Sequence, residues 1–289
     1  MEYKCCYDLN HICNIYLDNN DYYLLTCCQY DRTLRQPIKN FNFSNFFYIY
    51  DKERKYYYEN QNTICKYCKT KKDKQFLQHI QQFHLYLNIS HFCNFNCVYC
   101  LHGWKNKRNI FHEVFIKNRE KFEDLISNKK IDLIISNGGE LYSNKYVMEL
   151  FLTWKEKYNK KIGAVTNMSL FNPNYPIDYL SISWHKCMGL KMIEQLKKIP
   201  NKLLEKKILI TFLVSNDLPY AWHLHEVTDL IIKYISKEKF KIIYKNICGE
   251  MEQIIPKDNI IKNILKIKDL GYDVKYQDKS WFYDGTKML

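Results

Sequence analysis

LYLNISHFCNFNCVYC, residues 85–100, decides how the rest of the chain is read. Leu85, Leu87 and Ile89 alternate with Tyr86, Asn88 and Ser90, the period-two pattern of a strand. The run leads into three cysteines, Cys93, Cys97 and Cys100, spaced C-x3-C-x2-C. Three thiolates from one short loop suit three irons of a 4Fe-4S cluster, a group that four cysteines normally ligate. No fourth cysteine completes the set nearby, so one iron keeps an open position, and an open metal position is where a substrate or cosubstrate binds. Zinc favours paired C-x2-C units with four closed ligands, which this spacing does not supply.

A second stretch, IDLIISNGGE (131–140), is an apolar run ending in Gly138, Gly139 and Glu140. The chain holds only 8 glycines, so two adjacent ones after a strand mark a backbone requirement. Glycine lets the main chain approach a ligand closely. Glu140 offers a carboxylate for charge-assisted hydrogen bonds from an ammonium group. The plainer reading of Gly-Gly-Glu is an ordinary strand-to-helix turn.

Together the two stretches resemble the radical S-adenosylmethionine (SAM) superfamily: C-x3-C-x-aromatic-C after a first strand, with Tyr99 in the aromatic slot, then Gly-Gly-Glu after a second. The resemblance implies that Cys93, Cys97 and Cys100 hold a 4Fe-4S cluster. It implies that Gly138, Gly139 and Glu140 meet the amino group of SAM, and that Tyr99 packs near cluster and adenine. Ser183 and Asn216 are the nearest matches to the family's further SAM contacts. Trp184 and His185 follow the fourth strand and are candidates to line a substrate pocket. The implied activity is reductive cleavage of SAM to a 5′-deoxyadenosyl radical, which abstracts hydrogen from a peptide or small-metabolite substrate. An electron donor such as flavodoxin or ferredoxin is the implied partner. The cofactor carries the hard chemistry, and the protein supplies position and exclusion of water.

Downstream of residue 85 the pattern alternates. A helix is expected over 109–128, with an apolar stripe of Phe111, Val114, Phe115, Phe122, Leu125 and Ile126. Strand 131–137, helix 143–158, strand 161–167, strand 178–184, helix 186–198, strand 207–214, helix 219–236, strand 240–247 and a helix near 258–270 follow, with a tail containing Tyr272 and Tyr276. Apolar strands separated by helices predict an α/β fold with a parallel sheet. Six strand–helix units match the partial (β/α)6 TIM-like barrel that the resemblance implies, and in such barrels the chemistry sits at the C-terminal ends of strands. The expected division is 1–84, a small Cys-rich N-terminal module, and 85–289, the barrel.

The first 84 residues read differently. They hold seven of the 12 cysteines: Cys5, Cys6, Cys13, Cys27, Cys28, Cys65 and Cys68. DNND (18–21) separates two apolar runs and predicts a hairpin that delivers Cys27-Cys28. Cys65-x2-Cys68 is a metal-ligand spacing. The module resembles the SPASM or twitch auxiliary-cluster modules of radical SAM enzymes, though it precedes the barrel. Three readings stay open: a second, auxiliary Fe-S cluster, a structural zinc, or reduced thiols. Cys6, Cys27, Cys65 and Cys68 are the favoured ligands.

Twelve cysteines in a chain whose first residues lack an apolar leader argue for metal or redox chemistry over a disulfide framework, and for a cytoplasmic setting. No run of 18 or more apolar residues predicts a membrane span. The net charge of +13 admits nucleic acid as a partner. The basic residues are scattered over many helix faces, such as Lys155, Lys157, Lys160 and Lys161, and this argues against it. A nucleic-acid-modifying radical SAM enzyme is therefore the second enzymatic reading, carried by charge alone. A non-catalytic Fe-S or zinc scaffold is the reading from another class.

Overall fold

The computed structural model describes residues 12–18, 21–25, 46–48, 51–52, 55, 82–87, 92–95, 97, 115–136, 139–215, 221–246, 257–277 and 282–283. The fold is α/β. The chain forms two compact units, one from Met1–Asn94 with Trp104–Ala164 and the other from Phe95–Gly103 with Val165–Leu289.

In the first unit, strands β1 (Ile12–Asp18) and β2 (Asp21–Leu25) form an antiparallel hairpin whose register closes at Asp18 opposite Asp21. This is the hairpin that the DNND turn predicts. β1 then pairs in parallel with β3 (Phe83–Leu87), Ile12 opposite His84. The hairpin therefore extends the same sheet as the strand before the cysteine loop. β3 pairs in parallel with β4 (Ile131–Ser136), and β4 with β5 (Lys161–Thr166). Parallel strands need long crossovers, and helices α1 (Arg119–Ser127) and α2 (Lys145–Tyr158) supply them.

β4 is buried at five of its six positions, as expected for a strand covered on both faces. α1 lays Phe122, Leu125 and Ile126 inward, three members of the expected stripe. They meet Val147, Met148, Phe151 and Trp154 from α2 in the same core. Phe115 packs against Phe122 at 5.0 Å and against Trp154 at 6.0 Å, and Phe151 stacks on Trp154 at 5.4 Å. Each such ring contributes on the order of 2 kcal/mol by leaving water. α2 starts on Asn144, whose side chain accepts from the Val147 N–H, and ends on Asn159 at φ 51°, a left-handed position that Asn tolerates. Lys160 is buried and donates to the Asn128 and Ile131 carbonyls at 2.8 Å each. Desolvation holds its ammonium below the usual lysine range.

The second unit repeats the pattern. β6 (Tyr179–Trp184) pairs in parallel with β7 (Ile208–Val214), β7 with β8 (Phe240–Asn246), and β8 with β9 (Asp273–Gln277). β10 (Phe282–Tyr283) returns antiparallel. Helices α3 (Lys191–Leu196), α4 (Asn201–Leu204), α5 (Leu224–Tyr234) and α6 (Lys257–Asp269) lie between them. β9 corrects the expectation of a tail at Tyr272–Tyr276: Val274 and Tyr276 are buried, and alternation too short to stand out from flanking charge becomes a strand by pairing. The single helix expected over 186–198 is also broken. A 3₁₀ turn, Lys186–Met188, stops at Gly189 with φ 46°, and only six residues of α3 follow.

β7 alternates fully buried Ile208, Ile210, Phe212 and Val214 with half-buried residues. Phe212 carries the unit's aromatic core. Trp184 stacks on it at 5.2 Å, while Trp222 and Tyr244 meet it edge-on at 6.2 Å and 6.4 Å. The indole N–H of Trp222 donates to the Trp184 carbonyl at 2.7 Å, and that of Trp184 to the Gly189 carbonyl at 3.2 Å. Among the described residues no helix is long and apolar enough to cross a membrane.

Candidate active site

In parallel α/β sheets, ligands collect where the strands end, because successive loops converge there. In the first unit, β3 leads to the cysteine loop and β4 to the Gly-Gly-Glu turn. Gly139 takes φ 63°, the left-handed conformation that a side chain disfavours. Glu140 follows with only 2% of its surface exposed. Its backbone N–H donates to the carbonyl of Phe92 at 2.6 Å, the residue before Cys93. The Ser143 hydroxyl lies 3.1 Å from that same carbonyl, across 51 residues of sequence, and 2.7 Å from the Glu140 carbonyl. The turn after β4 thus grips the start of the cysteine loop through the main chain. Oε1 of Glu140 accepts from the Tyr142 N–H at 3.2 Å and caps the 3₁₀ turn Leu141–Ser143. Cys93 is half-buried.

In the second unit, Cys97 is also half-buried. Its Sγ lies 3.8 Å from Nδ1 of His185, the residue after β6. Phe95 meets the same imidazole edge-on, centroids 5.6 Å apart at 84°. His185 as a residue is half-buried, yet its ring is shielded enough that burial pushes its pKa down to about 4, so it is neutral at pH 7. Beyond it, Lys186 pairs with Glu226 at 2.8 Å. Cys187 is exposed, with desolvation raising its thiol.

The other expected residues divide in two. Ser183 is half-buried on β6, opposite Thr211 in the register. Tyr99, Cys100, Gly138 and Asn216 lie outside the described residues, as do Cys6, Cys27, Cys65 and Cys68; among the described residues no three His, Cys, Asp or Glu side chains are gathered for a metal. Trp184, expected beside a pocket, is instead 1% exposed and belongs to the core: it is the inward member of the β6 alternation, and its ring fills the space over Phe212. The polar ends of β5 are spent locally. Thr166 Oγ1 accepts from the Met168 N–H at 2.9 Å, and Asn167 Oδ1 from the Ser169 N–H at 3.0 Å. Two participants escape sequence reading. The Phe92 carbonyl is main chain and carries no residue signal, and Ser143 is one serine among many. No protein-family model matches the chain, and no curated protein matches its sequence.

Proposed function

We propose that the protein is a radical SAM enzyme on a partial (β/α)6 barrel. The observation that carries this reading is the 2.6 Å bond from the Glu140 N–H to the Phe92 carbonyl. Two motifs far apart in sequence, which together carry the resemblance to a SAM site, are adjacent in space. The bond lies where the adjacent parallel strands β3 and β4 end, the place where a ligand site in such a sheet is expected.

The donor set fits the group. Cys93 and Cys97 follow Phe92, whose carbonyl is anchored twice, and soft thiolates suit iron–sulfur clusters. Cys93, Cys97 and Cys100 would hold a 4Fe-4S cluster and leave one iron for the amino and carboxylate groups of SAM. Glu140, buried and fixed by its own backbone, would present its carboxylate to the SAM ammonium. Gly138 and Gly139 would let the main chain approach, and Tyr99, Ser183 and Asn216 would complete the SAM contacts. When bound and reduced by a flavodoxin- or ferredoxin-type donor, the cluster supplies the electron that cleaves SAM and starts hydrogen abstraction from a peptide or small-metabolite substrate. Cys6, Cys27, Cys65 and Cys68 would hold an auxiliary cluster.

Anaerobic reconstitution tests both parts. The reduced wild type should convert SAM to 5′-deoxyadenosine and carry about eight irons, two 4Fe-4S clusters. A Cys93/Cys97/Cys100→Ala variant should keep about four irons and make no product. Equal turnover in the two proteins overturns the assignment. About four irons plus one zinc in the wild type removes only the auxiliary cluster, in favour of a closed structural site.

A further inference from the structure

Resting on that reading, we infer that His185 is a positioning residue for the cluster: its Nδ1–H donates a hydrogen bond to the sulfur of Cys97 and raises the cluster's reduction potential. The geometry supplies the argument. Nδ1 stands 3.8 Å from Sγ, within the range of hydrogen bonds to sulfur. Phe95, two residues before Cys97, meets the ring edge-on, so the loop touches one imidazole at two places. The backbone delivers His185 rigidly, because it follows directly on β6, whose last residue, Trp184, is locked into the aromatic core.

The chemistry chooses the tautomer. A metal-bound thiolate has no proton to give, so the proton of this contact belongs to Nδ1. A hydrogen bond to a cluster sulfur stabilises the more negative, reduced state over the oxidised one, and hydrogen bonds to the sulfurs are among the levers that set such potentials. Serine or asparagine on the loop itself would not serve as well, since a residue anchored on a strand end holds its angle while the loop loads metal.

The test is a redox titration of the reconstituted enzyme followed by the electron paramagnetic resonance of the reduced cluster, with SAM omitted. His185→Phe fills the space without a donor, and His185→Gln restores an N–H. The Phe variant should keep its iron and move to a more negative potential by at least tenfold in the reduction equilibrium, about 59 mV for one electron. The Gln variant should recover part of that shift. A loaded Phe variant with wild-type potential overturns the inference and leaves the enzyme assignment standing. Loss of iron in a folded Phe variant also overturns it, because the ring then acts in loading the metal and not in tuning it. A wild type that takes up no cluster at the triad overturns both.

Discussion

Glu140 and Glu226 are both carboxylates at a helical start that follows a parallel strand, Glu140 as the N-cap of a 3₁₀ turn in the first unit and Glu226 in the first turn of α5 in the second, and they are used in opposite ways. Glu226 does what a capping-box glutamate does. Its carboxylate accepts from the His223 N–H at 2.9 Å, its charge meets Lys186 at 2.8 Å, and 30% of its side chain stays exposed. Burial opposes its ionisation, but the bonds from Lys186 and His223 win and hold it below the usual carboxylate range. Glu140 is buried, and its main chain reaches to the neck of the cysteine loop. Exposure with a partner stabilises a helix start. Glu140 instead sits buried on a turn that binds a distant loop through its main chain.

The largest expected effect tests the buried member. Glu140→Gln keeps shape and the bond to the Tyr142 N–H but removes the charge. SAM affinity should fall by roughly 1–3 kcal/mol, or about 5- to 150-fold, with iron content unchanged. Calorimetric titration of SAM into the reconstituted protein measures it. Unaltered affinity would reduce Glu140 to a turn residue and erase the contrast.

A smaller effect sharpens the comparison within the same turn. Asn144 is buried and caps α2 through the Val147 N–H at 3.1 Å. Asn144→Ala should cost about 1 kcal/mol in denaturant unfolding. It should leave SAM affinity alone, because in the proposed site only the carboxylate and the loop anchor would concern the ligand. An affinity loss matching that of Glu140→Gln would mean that any disturbance of this turn is felt, and that charge is not the point.

The smallest effect belongs to Glu226. Glu226→Gln keeps an acceptor for the His223 N–H and loses the ion pair, a partly exposed one worth about 0.5 kcal/mol. Because the folded carboxylate titrates below its unfolded value of about 4.3, the unfolded state binds the extra proton. This stabilisation is complete above that value and is lost as pH falls through the folded pKa. Thermal melts of wild type and variant should differ near neutrality and converge in acid. A gap that persists at pH 2–3 would assign the loss to packing and not to charge.

Much of the fold was legible because β-strands and amphipathic helices announce themselves by period. The α1 stripe of Phe122, Leu125 and Ile126 and the hairpin at DNND both lie where alternation and turn residues put them. β9 was not legible. Val274 and Tyr276 make too short an alternation, and pairing with β8 creates the strand. The break at Gly189 was hidden in a helical pattern because one glycine rarely outweighs the apolar spacing around it.

At the candidate site, residue type and spacing singled out Cys93, Cys97 and Cys100 as a set, and the family resemblance singled out Glu140, since ligand chemistry depends on side-chain identity. What the tertiary structure decided is adjacency. Phe92 meets Glu140 through a main-chain bond, and His185 meets Cys97 across a long stretch of chain. Every residue offers the same backbone donor and acceptor, so no sequence pattern distinguishes the carbonyl that will be gripped. A histidine beside a strand end likewise reads as one more polar residue until folding brings a sulfur to it.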